Sequence, residues 1–366
     1  MNIEVLRSDF HRVRTVDPAP GPLAAGDARV TIETFALSSN NISYAAFGDA
    51  LRYWEFFPAE PGAEGESWGR IPVWGYARVT ESDSPDLAVG ERLYGYWPMG
   101  SSLDITPGRA NDRGVSDLAP HRAEMSSTYS RYMRVAADPM LASGREAHQM
   151  LLFPLFYTSF LADDFLADND DFGSDVTIVS SASSKTAIGV AHCARVRGRR
   201  CVGLTSAANL AFTEGLGVYD TVLTYDRIGE LTVEPSEYVD LAGNAAVTRA
   251  VHERLGDALT HSMIVGGTHW DATGDSSGAA LPGPRPSFFF APTQITKRVQ
   301  EWGQETMDAR LGAAWDDYAA WCDTWIEFRD FVGPEAVTAA YLELLEAGAD
   351  PRVGYICTLD PAAAPR

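Results

Sequence analysis

Cysteine is scarce in this chain and badly spaced for crosslinking. There are four, Cys193, Cys201, Cys322 and Cys357, and no two form a C-x-x-C pair. That excludes a disulfide framework and predicts reduced core thiols in a cytosolic protein. Basic charge is also short, with 29 lysines and arginines against 50 acidic residues and a net charge of −21. Such a surface repels nucleic acid and anionic membrane, so neither is an expected partner. An anionic ligand would need a local cationic site. The acidity itself needs no more than a solubility or salt-adaptation reading. The start, Met1-Asn-Ile-Glu-Val-Leu6, lacks the basic and apolar stretches of a signal peptide. No apolar run reaches the roughly 18–20 residues that span a bilayer, so a soluble cytoplasmic protein is expected.

What is present is a globular composition, 45% hydrophobic over 366 residues, long enough for two domains. Residues 1–150 read as mostly β. Strand patterns occur at 29–36, 70–80, 89–98 and 127–135, punctuated by glycine and proline as in a small barrel. Between the first two lies 38–58, which mixes amides with aromatics and suits either a substrate pocket or an aromatic-stapled loop. A helix over 151–165 follows, with Pro154 in its first turn. From Asp175 onward strands (176–180, 200–206, 221–225, 238–242, 262–268, 287–291) alternate with helices (186–197, 207–214, 245–254). That order predicts an α/β fold with a doubly wound parallel sheet. Residues 294–329 read as helical and carry Trp302, Trp315, Trp321 and Trp325, a stripe that suits packing against the domain or a second subunit. The tail adds a helix over 334–347 and a strand at 353–358.

The stretch Asp175 to Ala194 is the organising feature. It reads as a buried strand, a turn of small residues and a helix, which together gather backbone N–H groups and the helix dipole where a phosphate can bind. The turn is Ser181, Ala182, Ser183, Ser184, Lys185 and Thr186, with none of the glycines a dinucleotide fingerprint uses. Serine and alanine still permit close backbone approach, and Lys185 supplies a cation. A nucleoside triphosphate loop is excluded, because its two glycine positions hold Val179 and Ser184. The bland alternative is a turn that binds nothing, with Lys185 a solvated charge. At the end of the second strand stand Thr205, Ser206 and Asn209, with no carboxylate before Glu214. A carboxylate there would favour NAD; hydroxyls, with Tyr225 and Arg227 nearby, favour NADP.

These segments resemble the medium-chain dehydrogenase/reductase superfamily. Val89-Gly-Glu-Arg-Leu-Tyr-Gly95 is similar to its GDrVyg segment, Phe153 to Ser159 to its interdomain helix, Val176 to Gly198 to its first Rossmann strand-turn-helix, and Tyr341 to Leu359 to its closing segment. The resemblance implies a GroES-like β-barrel catalytic domain at 1–150, completed by 331–366, and a Rossmann-like NADP-binding domain at 151–330 with a tryptophan-rich helical extension. Ser38 to Asn41 and Val73 to Tyr76 stand where zinc-dependent members carry their ligands, and every cysteine lies beyond residue 190, so no metal is expected. The resemblance therefore implies a zinc-free quinone- or enoyl-reductase type, using NADP(H) to pass hydride to an enone, quinone or carbonyl small molecule. It also implies a homodimer. Asn41, Tyr44 and Tyr53 in the first half, and Tyr157 near the interdomain helix, are the candidate catalytic donors; Tyr94 and Tyr129 are weaker ones. Each such tyrosine is also a natural core residue. Gly266, Gly267 and Thr268 follow the fifth strand, where the resemblance places the nicotinamide, and His269 is a candidate proton donor or a structural histidine. The competing readings are a lyase or hydrolase acting on a β-dicarbonyl compound, and a non-catalytic NADP-binding protein.

Overall fold

The computed structural model describes residues 1–142, 144–265, 281–346 and 349–363. The chain divides into two compact units: Met1–Leu151 with Ile326–Arg366, and Leu152–Trp325.

Unit one is built on strands β1 (Asn2–Leu6), β2 (Asp9–Val16), β3 (Ala28–Leu37), β4 (Trp68–Gly69), β5 (Pro72–Ser82), β6 (Arg92–Pro98), β7 (Ser102–Ile105), β8 (Pro107–Asn111), β9 (Gly114–Asp117) and β10 (Arg131–Arg134), with helix α1 (Ser39–Ala46) after β3. Strands β1, β2, β4 and β7 to β9 are absent from the sequence reading; all but β2 are five residues or shorter, too little to show a periodicity. Helix α2 (Glu146–Asp168) then leads into unit two.

Unit two contains β11 (Val176–Val179), α3 (Lys185–Val196), β12 (Arg200–Thr205), α4 (Leu210–Gly215), β13 (Thr221–Thr224), β14 (Ser236–Asp240), α5 (Ala245–Leu255), β15 (Leu259–Val265), β16 (Ser287–Phe289), α6 (Ala291–Trp302) and α7 (Gln304–Cys322). The chain returns to unit one through β17 (Glu327–Val332), α8 (Pro334–Leu345) and β18 (Val353–Thr358).

In unit one the main sheet runs β17-β18-β3-β5-β6-β10-β9-β8, with β7 also on β3. Its core holds Ile32, Phe35, Val73, Trp97 and Tyr132. Trp97 lies flat on Tyr132 at 4.1 Å, and its indole N–H donates to the Gly75 carbonyl at 2.9 Å. Gly75 is required here, since a Cβ would stand 2.3 Å from the Thr34 carbonyl on the neighbouring strand.

In unit two every strand pair is parallel, in the order β13-β12-β11-β14-β15-β16. This is the doubly wound arrangement expected from the alternating pattern, with its switch point between β11 and β14. Val176, Ile178, Leu204, Tyr238 and Val251 form the core on one face. Against the other face, Gly189 in α3 leaves room for Ser159 of α2, whose Oγ donates to the Thr186 carbonyl at 2.8 Å.

Several expectations are corrected. Pro154 lies inside α2, not in its first turn, because the helix starts at Glu146. That helix is also long and apolar enough over one window to cross a membrane by composition, contrary to the sequence reading, with half of the window buried inside the protein. Its acidic side chains are matched: Asp163 with Arg197 at 2.8 Å, Asp164 with Arg298 at 2.6 Å, and Asp168 with Lys297. The helix expected over 294–329 breaks at Gly303 (φ 79°) and ends at Cys322, and Glu327–Val332 is a strand. The tryptophan stripe is engaged inside unit two. Trp315 is buried on Phe153 and Phe156, Trp321 meets His192, Trp325 meets Phe212, and Trp302 lies between the Arg298 and Arg310 guanidiniums.

Candidate functional site

The turn after β11 is held from three sides. Ser181 takes a left-handed conformation (φ 51°), which a fingerprint glycine would adopt without strain. The Ser181 N–H donates to the Tyr225 hydroxyl at 3.2 Å. Ala182 is fully buried, its carbonyl accepting from Tyr219 Oη at 2.9 Å and its N–H donating to the Leu204 carbonyl at 3.0 Å. Ser183 Oγ accepts from Asn209 Nδ2 at 2.9 Å, which ties the turn to the end of β12. Ser184 caps α3, its Oγ accepting from the Ala187 N–H at 3.3 Å. Lys185 and Thr186 open the helix, in the first turn whose N–H groups have no partner within the helix itself.

The neighbouring strand ends complete this edge. Ser180, buried, donates its hydroxyl to Asp240 Oδ1 at 2.8 Å and accepts from the Leu241 and Ala242 N–H groups. Asp240 also accepts from Thr248 Oγ1 at 2.8 Å and from the Gly243 N–H at 3.1 Å. A buried carboxylate with this many donors locks the loop after β14 to the turn after β11. Thr205, at the tip of β12, is 1% exposed, and its Oγ1 has no hydrogen-bond partner among the described residues. Ser206 and Asn209 are partly exposed beside it. Arg227, expected to lend charge, instead pairs with Glu230 at 2.7 Å on the surface.

Unit one gathers a different chemistry. Trp74 and Tyr76 on β5 stand opposite Tyr96 and Tyr94 on β6, so four aromatic rings line one face of the strand pair. Tyr44 from α1, Tyr53 and Phe56 from the following turn, and Tyr129 pack on them. Tyr44 and Tyr96 meet edge-on at 5.5 Å, and Tyr96 and Tyr129 lie 4.7 Å apart. Burial raises every phenol pKa here; Tyr53 is pushed up to about 12, and Tyr44, Tyr96 and Tyr129 are raised by burial as well. These phenols therefore stay protonated and act as donors. Tyr44 Oη accepts from Trp74 Nε1 at 3.4 Å, while Tyr96 Oη has no hydrogen-bond partner among the described residues.

Asn41, expected as a donor to substrate, is committed elsewhere. Its Oδ1 accepts from the Ser38 N–H at 2.7 Å in a capping box, and its Nδ2 donates to the Pro72 carbonyl at 2.8 Å. Tyr157 belongs to unit two, stacked on Phe153, with Asp308 among the groups that raise its pKa after burial. His269, Gly266, Gly267 and Thr268 lie outside the described residues. Tyr96 and Trp74 were missed. The signal was the paired Trp74-Gly-Tyr76 and Tyr94-Gly-Tyr96, two alternating aromatic pairs that only strand register brings together. Among the described residues, no group of three His, Cys, Asp or Glu side chains could hold a metal ion.

Solved structures with this fold cover nearly the whole chain. CurA from Vibrio vulnificus in complex with NADPH is 13% identical, covering 95% of this chain and 94% of that one, with a TM-score of 0.56. The CurK enoyl reductase is 13% identical, covering 98% and 99%, with a TM-score of 0.55. The quinone oxidoreductase from Coxiella burnetii is 14% identical, covering 98% and 99%, with a TM-score of 0.51. The two-unit fold implied by the medium-chain dehydrogenase/reductase resemblance is thus the fold found. Among proteins of curated function, none matches the sequence. A family model does match, over residues 35–350, and the chain belongs to the family described as "Protein of unknown function (DUF2855)".

Proposed function

We propose that this protein is an NADP(H)-dependent oxidoreductase that transfers hydride to an enone, quinone or other carbonyl small molecule without a metal. The observation that carries the reading is the turn from Ser181 to Thr186, left-handed at its first residue and feeding a capped helix at the switch point of a parallel sheet. That is where a pyrophosphate is bound in such sheets.

The residues fit the cofactor. Ser183, Ser184 and Thr186 offer hydroxyls, and the helix opens with Lys185. Gly203 keeps the turn close to β12, since a Cβ there would lie 2.9 Å from the Ala182 Cβ. The unpartnered Thr205 hydroxyl, with Ser206 and Asn209, offers donors to the ribose end, where no carboxylate opposes a 2′-phosphate. The bound cofactor would supply the hydride. The tyrosines of unit one would supply donors to the oxygen on which negative charge develops. Tyr44 and Tyr53 carry that role better than Asn41, whose amide holds the α1 turn. The related folds include an NADPH complex, an enoyl reductase and a quinone oxidoreductase, and all three are consistent with this reading.

The test is NADPH consumption with a panel of quinones, enones and aldehydes. Turnover of at least one class, faster with NADPH than with NADH, is expected. Tight NADPH binding with no turnover across the panel would move the protein to the non-redox or non-catalytic reading.

A further inference from the structure

The aromatic cluster of unit one gathers four phenol hydroxyls, those of Tyr44, Tyr53, Tyr96 and Tyr129, and the Trp74 indole N–H. Tyr96 is fully buried, yet its hydroxyl has no hydrogen-bond partner among the described residues. Tyr44 beside it is 6% exposed, and its hydroxyl accepts a long bond from the Trp74 indole, with Asn40 a further hydrogen-bonding neighbour. A buried hydroxyl left unpaired is unfavourable. Phe56, Phe57 and Trp74 around Tyr96 present only hydrocarbon and an indole N–H, so the acceptors in the cluster are the phenol oxygens of Tyr44 and Tyr129. A cation beside the cluster, the Arg122 guanidinium over Phe57, is already held by Asp117 at 2.9 Å, the Tyr132 hydroxyl and the Phe56 carbonyl.

The cluster has a floor and a rim. Tyr44, Tyr96, Phe56 and Phe57 are buried, whereas Tyr53, Trp74 and Tyr129 are partly exposed. Flat rings surround a pair of donors, and the guanidinium described beside them, that of Arg122, is already paired.

We propose that Tyr96 and Tyr44 form a donor pair that receives the carbonyl oxygen of a flat, uncharged conjugated compound, of the quinone or aromatic-ketone class. This rests on the oxidoreductase reading for its catalytic meaning, but the binding claim stands on the cluster alone. Tyr96 is then a residue that touches substrate, and its phenol donates without losing its proton, because burial holds its pKa well above the usual value. Anionic analogues are disfavoured, because the Arg122 guanidinium beside the cluster is already held by Asp117.

The experiment binds carbonyl-labelled 1,4-naphthoquinone to the intact protein and records its carbonyl stretch by infrared difference spectroscopy. NADPH affinity is measured on the same samples. In the wild type the stretch should move to lower frequency. Tyr96→Phe should abolish most of that displacement with no loss of thermal stability, because the hydroxyl it removes is unpaired. Tyr44→Phe should reduce it in part. Naphthoquinone-2-sulfonate should bind at least tenfold more weakly than its neutral parent. An unmoved stretch, an identical displacement in Tyr96→Phe, or no binding of naphthoquinone would overturn the proposal. Failure of NADPH to bind while the Tyr96-dependent displacement persists would instead remove the redox reading and leave the site.

Discussion

Ser181 is where residue chemistry and fold geometry disagree most openly. Its φ of 51° belongs to a glycine, and an L-residue there costs roughly 1–2 kcal/mol, offset in part by the greater chain entropy glycine would bring. Ser181→Gly should therefore raise stability by up to about 1 kcal/mol, whereas Ser181→Val should lower it by about 1–3 kcal/mol, read by denaturant titration. Asn41 makes the opposite point. Removing its amide leaves the buried Ser38 N–H and Pro72 carbonyl unpaired, so Asn41→Ala should lose roughly 1–3 kcal/mol of stability while NADPH affinity stays unchanged. An affinity loss without a stability loss would return Asn41 to the binding machinery. In the sequence, an asparagine that caps and one that binds substrate read alike. Tyr96 was illegible for a related reason, since a tyrosine in a strand reads as core until the strand opposite it is known.

At the scale of elements, the row across the parallel sheet from Thr177 to Glu237 and His261 adjoins a charge cluster that is buried at Asp163 and Glu237 and partly open at its arginines. Asp163, Asp171 and Glu237 supply three carboxylates against the guanidiniums of Arg197 and Arg199. Glu237, which accepts from Thr177 Oγ1 at 2.7 Å, is pushed up to about 7 by burial, with Asp171 adding to the rise and Arg199 and Arg197 opposing it. His261, its neighbour on β15, is stacked flat on Phe172 and driven down to about 4 by burial, so it stays neutral. A carboxyl pKa raised on folding gives stability that is full below the unfolded value near 4.5 and is lost as pH rises to about 7. Glu237→Gln should match the wild type at about pH 5 and exceed it at about pH 8 by on the order of 3 kcal/mol. Equal pH dependence in both proteins would contradict a proton on Glu237. The alternation of strands and helices that frames this row was legible, because period-two and helical runs survive in β11 to α5. The strand β17 was not, because its exposed, charged Glu327, Arg329 and Asp330 read like the surface of the preceding helix.

For the whole molecule, the deciding feature is that unit two is one continuous stretch between two parts of unit one, each with its own core. The excess of acid over base, −21 overall, makes any bound polyphosphate dependent on local cations, and lysine stands at only two positions, Lys185 and Lys297. Lys297 pairs with Asp168 in α2, and Lys185 is the first residue of the helix that follows the phosphate turn. The central claim is that this turn holds NADP(H), and equilibrium titration of NADPH and NADH by nicotinamide fluorescence tests it most directly. NADPH should bind more tightly than NADH. Lys185→Ala should weaken NADPH binding by roughly 1–3 kcal/mol at constant fold stability. Binding of neither nucleotide, or an NADPH affinity indifferent to Lys185→Ala, would contradict the account.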